Sequence, residues 1–309
     1  STMSFSHFLA DDLQTKAQVL SLIKLAKQIK QNPANFNQAL AGKSIVMLFE
    51  KPSLRTHISF DIGIQKLGGH ALYIGQQNGQ LGERERVVDV AKNLACWSDA
   101  IVARVFEHQV LQELAEHADI PVINALCNLY HPCQALADFL TVAEQFDDLS
   151  NVKLAYVGDG NNVSNSLMLT AAVLGMDFTL ASPMGFSGEA HIYSQALALA
   201  KESGSTIRLV NSAEDIGEQD VIYTDTWVSM GDESKGAKTL EKFAPFQVNH
   251  EMMKTTGAKF VMHCQPAHLG HEITEALFDS DYSLATQQAE NRMWAQNAVL
   301  VTLFSESSS

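Results

Sequence analysis

Residues 49–57, reading FEKPSLRTH, carry the sharpest chemical signal in the chain. A short apolar run ends there, Pro52 turns the chain, and Ser53, Arg55 and Thr56 fall where a helix begins. Free backbone N–H groups at a helix start, two hydroxyls and a guanidinium can converge on one anion. The same residues also read as an ordinary serine N-cap beside a surface arginine. His131 and Gln134, in HPCQ at 131–134, open another helix. The imidazole can donate to a carbonyl oxygen and the glutamine can bond an amide, or the four residues can form a plain capping turn. Arg104 lies at the end of the apolar run IVARVF, where a charge does not read as a solvated one. Together these groups suit a compact, planar, anionic substrate.

The second half of the chain carries three further clusters. GDGNN at 158–162 follows a strand, but it is not G-x-G-x-x-G, and Asp159 would repel a pyrophosphate, so a dinucleotide site is not expected. DTWVSMG at 225–231 supplies a carboxylate, a hydroxyl and a flexible glycine, which suits an ammonium-bearing substrate or, equally, a loop around a buried tryptophan. HCQP at 263–266 ends another strand. His263 and Cys264 lack a convincing set of companion ligands, so zinc is not expected, and a covalent Cys-His nucleophile would need a general base placed by the fold. Asp225 and Cys264, both at strand ends, could orient or deprotonate an amine together.

The elements that must position these groups alternate. Residues 14–31 form an amphipathic helix with Val19, Leu22, Ile23, Leu25, Ala26 and Ile29 on one side. A strand at 43–51 follows, then a helix from Leu54 to Leu67 that stops at Gly68-Gly69, then the strand HALYIG. The polar, glycine-containing stretch 75–86 is a candidate for reaching a ligand. Strands at 101–106 and 121–126 flank the helix VLQELAEHA, and a helix runs from about Pro132 to Gln145. The rhythm restarts at 151 with LAYVG, SLMLTAAVLG, FTLASP, a helix ending in ALALAKESG, TIRLV, DVIYTDTW and KFVMHCQP. Such alternation favours parallel sheets covered by helices, here an α/β chain of two similar-sized domains with the site expected in the cleft between them. The expected division is 3–148 and 149–287, with the last helix, 288–305, packing back on the first domain.

Composition narrows the partners. At 309 residues, against about 150 per domain, two domains are expected. The net charge of −14 argues against a nucleic-acid or anionic-membrane surface, though not against a local basic pocket. With 46% hydrophobic and 18% charged residues, the chain reads as globular. No stretch approaches the ~18 apolar residues of a membrane span, and the start lacks a basic segment followed by an apolar one, so a soluble, cytoplasmic protein is expected. Ser1 and Thr2, ahead of Met3, read as an expression remnant. Cys96, Cys127, Cys133 and Cys264 form no CxxC pair and read as reduced thiols.

Taken in order, KPSLRTHISFD, HPCQALAD, GDGNN, DTWVSMGDE, HCQPAHLGHEIT and QAENRMWAQ closely resemble the aspartate/ornithine carbamoyltransferase family over nearly the whole chain. The resemblance implies an N-terminal carbamoyl-phosphate domain, a C-terminal amino-acid domain, and a homotrimer with active sites shared between subunits. It implies a transferase of arginine biosynthesis with no cofactor and no metal. Ser53, Leu54, Arg55 and Thr56 would hold the phosphate, Arg104 would bridge phosphate and carbonyl, and His131 and Gln134 would bind the carbamoyl group. Cys264, Gln265 and Arg292 complete that set, with Gln80 reaching into a neighbouring subunit's site. DTWVSMG resembles the ornithine-using branch, so Asn162, Asp225, Ser229 and Met230 would grip L-ornithine, with Cys264 and Asp225 near its δ-amine. Arg55, Arg104, His131, Asp225 and Cys264 are the implied catalytic residues. The family's usual S-T-R-T-R reads Ser53-Leu54-Arg55-Thr56-His57 here, and its H-C-L-P reads His263-Cys264-Gln265-Pro266. The first departure removes a hydroxyl and a guanidinium; in the second, glutamine still supplies a backbone carbonyl. Ser-Leu-Arg-Thr and His-Pro-Cys-Gln also resemble the N-acetylornithine and N-succinylornithine enzymes, which stand as alternatives, as does a non-catalytic phosphate-binding homologue.

Overall fold

A computed structural model describes residues 5–75, 80–227 and 236–305. Two compact units emerge from the packing: residues up to Leu140 together with those from Glu290 onward, and Thr141–Ala289. Each holds a wholly parallel sheet with helical crossovers, as the alternation predicts.

In the first unit the chain runs α1 (Lys16–Gln31), β1 (Ser44–Phe49), α2 (Leu54–Lys66), β2 (His70–Ile74), α3 (Val87–Trp97), β3 (Ala100–Arg104), α4 (His108–Ala118), β4 (Val122–Leu126) and α5 (Pro132–Gln145). Thr15 and Gln18 form a reciprocal capping box at the start of α1, which buries Val19, Leu22, Ile23, Ala26 and Ile29, while Leu25 is half-buried. β1, β3 and β4 are nearly continuous buried apolar runs, as strands covered on both faces must be. β2 is more exposed because it lies at the edge of the order β2-β1-β3-β4. The turn after α2 needs glycine at Gly68, where φ is +85° and an added Cβ would lie 2.4 Å from the Asn37 carbonyl oxygen. The N-terminal segment, which carried no strand signal, borders β4: Phe8 N donates to Val122 O at 2.9 Å and Asn124 N to Phe8 O at 2.7 Å.

The second unit runs β5 (Lys153–Val157), α6 (Asn162–Leu174), β6 (Asp177–Ala181), α7 (Ala190–Ser203), β7 (Ile207–Val210), β8 (Val221–Thr224), α8 (Gly236–Phe243), α9 (His250–Thr256), β9 (Phe260–His263) and α10 (Glu275–Phe278). Its sheet order is β7-β6-β5-β8-β9. α6 is buried from Val163 to Leu174, which explains its lack of a polar face. α8, α9 and α10 have no counterpart in the sequence reading. They are 8, 7 and 4 residues long, too short for a clear helical period.

α11 (Ala285–Ser305) starts three residues before the expected 288. The first change of unit falls inside α5, at Leu140/Thr141, rather than at the expected 148. The physical reason is that Gln134 bonds within the first unit while Glu144 and Gln145 bond Gln287 in the second.

Candidate active site

In the first unit the candidate groups sit at the carboxyl ends of β1 and β3 and at the start of α5. β1 connects to β2 on one side and β3 to β4 on the other, so the crossover direction changes between β1 and β3, where open α/β sheets bind ligands. Ser53 caps α2, its Oγ accepting from Thr56 N at 3.3 Å. Leu54 is 70% exposed and presents no polar group. Arg55 is half-buried. Arg292, delivered by α11, is buried and forks across two neighbours: one terminal nitrogen donates to Gln134 Oε1 at 2.8 Å, the other to Thr56 Oγ1 at 2.9 Å. Its Nε donates to Gln296 Oε1 at 3.2 Å. Gln134 is held from the other end, its Nε2 donating to Asp138 Oδ1 at 3.0 Å.

Cationic charge accumulates around these bonds. Burial and the adjacent Arg292 push Arg104 down to about 10, and its Nε is a buried donor with no partner among the described residues. Lys51, whose Nζ lies 5.4 Å from the Phe106 ring centroid, is lowered by burial and by Arg104. Burial, then Arg292, Arg104 and Lys51, hold His131 well below the ordinary histidine range. His131 is therefore a neutral imidazole at neutral pH, able to donate one hydrogen bond without adding charge. Desolvated cations that depress one another call for an anion among them.

Glu50 organises the same strand ends. Its amide donates to Arg104 O at 2.8 Å, and its carboxylate accepts from Phe106 N at 2.8 Å and Leu81 N at 2.7 Å. The exposed Gln80 stands beside Leu81, and its backbone N donates to Glu83 Oε2 at 3.3 Å. His57, at the position of the missing guanidinium, stacks on Tyr73 with ring centroids 3.8 Å apart.

In the second unit the groups follow β5, β8 and β9, with β5 and β8 adjacent at the change of crossover direction. Asn161 caps α6 and donates from Nδ2 to Asp225 Oδ2 at 2.9 Å. Asn162 is half-buried, its Oδ1 accepting from Val163 N. Burial, with Asp225 second, pushes the Asp159 carboxyl up to about 7. Asp225, His263 and Cys264 bring their donor atoms within 4.8 Å of one another, a grouping absent from the linear spacing. His263 Nδ1 accepts from Gln265 N at 2.7 Å, so Nε2 carries the proton and donates to buried Glu272 at 3.1 Å. Both ring nitrogens are thus engaged, and the Asp225 carboxylate is held as well, its Oδ1 accepting from Thr226 N at 2.7 Å. Gln265 has φ +62° and donates from Nε2 to Ala285 O at 3.3 Å. Ser229 and Met230 lie outside the described residues.

The sequence reading named Arg292, Gln134 and Thr56 separately, and they are joined. It missed Lys51, Glu50, Asp138, Asn161, Glu272 and Gln296, whose contacts are made across the fold or within motifs read for other residues.

The profile of the aspartate/ornithine carbamoyltransferase carbamoyl-P binding domain matches residues 6–144, and that of the Asp/Orn binding domain matches 150–303. The chain belongs to this carbamoyltransferase family. Ornithine carbamoyltransferase of Shewanella oneidensis is 58% identical over 299 residues, 97% of this chain and 99% of that protein. The solved ornithine carbamoyltransferase of Pyrococcus furiosus superposes with a TM-score of 0.94 at 40% identity, covering 99% of each chain. A solved N-acetyl-L-ornithine transcarbamylase gives 0.87 at 28% identity, over 97% of this chain and 100% of that one. In this carbamoyltransferase Arg292 falls inside the match to the Asp/Orn profile but packs in the first unit, bonded to Thr56 and Gln134 beside Arg104. Among the described residues no helix is long and apolar enough to cross a membrane.

Proposed function

We propose that the chain transfers the carbamoyl group of carbamoyl phosphate to the δ-amine of L-ornithine, giving L-citrulline and phosphate. One observation carries the reading: Arg292 forks between Thr56 and Gln134 beside Arg104 and a neutral His131, a cationic cradle with buried donors for an anion. Ser53, Leu54, Arg55 and Thr56 hold the phosphate, the leucine through its backbone. His131 and Gln134 take the carbamoyl oxygen and amide, Arg104 spans phosphate and carbonyl, and Gln80 of a neighbouring subunit adds a contact. Cys264 and the Gln265 carbonyl bound the carbamoyl group on the amino-acid side.

The chemistry follows from these roles. The neutral δ-amine adds to the carbonyl carbon, an oxyanion develops against Arg55, Thr56, Arg104 and His131, and the carbon–oxygen bond to phosphate breaks. An amine near pKa 10 must lose a proton before it attacks, and Asp225 with Cys264 are the groups assigned to orient the ammonium and accept that proton. The amine's second proton leaves with the phosphate. Asn162, Ser229 and Met230 grip ornithine's α-groups. The 58% identity to an ornithine carbamoyltransferase, against 28% to an N-acetyl-L-ornithine transcarbamylase, supports free ornithine as acceptor.

The active unit is a homotrimer in this reading. Leu54, Ile58 and Ile62 project from one face of α2 at four-residue spacing, all exposed, and Leu72 and Trp97 are exposed as well, which supports burial against other copies. The deciding experiment measures phosphate release and carbamoylated product with ornithine, N-acetylornithine, N-succinylornithine and aspartate as acceptors. Citrulline from ornithine alone is expected; turnover confined to an acylated ornithine, or none at all, would overturn the assignment.

A further inference from the structure

We propose that Gln296 is a positioning residue for the carbamoyl-phosphate cradle, fixing the plane of the Arg292 guanidinium; the inference rests on the reading of that cradle given above. Gln296 is buried and lies one turn beyond Arg292 on the same face of α11. Its Oε1 accepts from Arg292 Nε at 3.2 Å, and its Nε2 donates to Ser59 Oγ at 3.0 Å. Ser59 in turn donates to the Thr56 carbonyl oxygen at 3.3 Å. Thr56 also receives one terminal nitrogen of Arg292 through its hydroxyl.

The links close a loop across two helices: Arg292, Gln296, Ser59, Thr56 and back to Arg292. A guanidinium is planar, so holding Nε sets where both terminal nitrogens aim. Without that bond the group can turn about its own stem, and the bonds to Gln134 and Thr56 cannot both keep their geometry. The amide of Gln296 cannot reverse without setting its NH2 against the guanidinium and drawing the Ser59 hydroxyl away from the Thr56 carbonyl. One turn further along, α2 and α11 approach closely: a Cβ on Gly63 would lie 2.5 Å from Asn297 Oδ1. This contact keeps Gln296 and Ser59 opposed.

The test compares Gln296→Met, Gln296→Glu and Ser59→Ala in the full-length protein. Kinetic constants for carbamoyl phosphate and ornithine are measured, and inorganic phosphate is titrated by calorimetry with no acceptor present. Methionine removes both bonds at similar volume, whereas glutamate keeps the acceptor for Nε. Loss of a hydrogen bond to a charged group should raise the KM for carbamoyl phosphate and the Kd for phosphate roughly tenfold. The KM for ornithine should stay within about twofold, and Gln296→Glu should recover most of the loss. Ser59→Ala should weaken phosphate binding in the same direction by about threefold. A folded Gln296→Met protein that binds phosphate as the wild type does would overturn the proposal. So would a Gln296→Glu protein as impaired as the methionine variant, or a loss shared equally by ornithine. If Gln296→Met does not fold, unchanged phosphate affinity in Ser59→Ala decides against it. A wild-type protein that binds phosphate but makes no citrulline would sink the proposed reaction while leaving this comparison intact.

Discussion

Replacing Asp159 with asparagine should stabilise the protein, and by an amount that depends on pH. Burial and the nearby Asp225 raise the Asp159 carboxyl from 3.8 to about 7 in the fold. Between those values the folded state retains a proton that the unfolded chain has released. Stability is therefore full below about pH 4, falls as pH rises toward about 7, and stays lower above it. At roughly 1.4 kcal/mol per pH unit, the whole change amounts to about 4 kcal/mol. Asparagine is neutral throughout, so its advantage over aspartate should widen by about 3 kcal/mol between about pH 5 and about pH 8.5. The Asp159 carbonyl oxygen, which accepts from Tyr156 Oη at 2.8 Å, is untouched by the change. Urea unfolding followed by circular dichroism at the two pH values measures the difference. An identical gap at both would refute the argument, because a packing effect does not titrate. The destabilised carboxylate also has a use: an ammonium-bearing substrate offsets the repulsion, so L-ornithine should raise the unfolding midpoint of the wild type more than that of Asp159→Asn at the higher pH.

Arg292→Lys keeps a charge but not the fork to Gln134 and Thr56, so kcat/KM for carbamoyl phosphate should fall on the order of 10²–10³-fold in steady-state assays. Glu50→Gln leaves one oxygen to serve two amides, Leu81 N and Phe106 N; about 1–3 kcal/mol of stability should be lost, with a raised KM for carbamoyl phosphate, measured by urea unfolding and initial rates. Gly63→Ala forces a methyl group against Asn297 and Met293, and a loss of about 1–3 kcal/mol should appear in the same unfolding assay; an unchanged midpoint would mean that α11 shifts freely against α2.

The strand ends were legible because each joins a continuous apolar run to a sudden cluster of polar residues. Ser53, Arg104, His131 and Asp225 all stand at such junctions or just beyond them. Parallel pairing was legible as well, since helices separate most of the strands. Supporting groups were not. Gln296 reads as a polar residue on a long helix, and nothing in its neighbourhood reveals Ser59, a contact made across 237 positions. Glu50 sits within the most informative motif, yet its partners Leu81 and Phe106 offer backbone amides, which every residue type shares. Glu272 reads as one more acidic residue until the fold closes it onto His263. The approach of Asp225 to His263 and Cys264 was hidden for the same reason: it comes through strand order, not spacing.

The discontinuity of the first unit matters during synthesis. Arg292, Gln296 and the apolar residues Ala295, Val299 and Leu300 are made only after the entire second unit has been translated. The first 140 residues therefore leave the ribosome without a helix that belongs to their own interior and without the guanidinium that joins Thr56 to Gln134. Ordinary vectorial folding, in which an N-terminal domain is finished before the next emerges, cannot complete this one. On the reading proposed above, competence to hold carbamoyl phosphate waits for α11, so a product truncated before Arg292 should fail to bind inorganic phosphate in calorimetry.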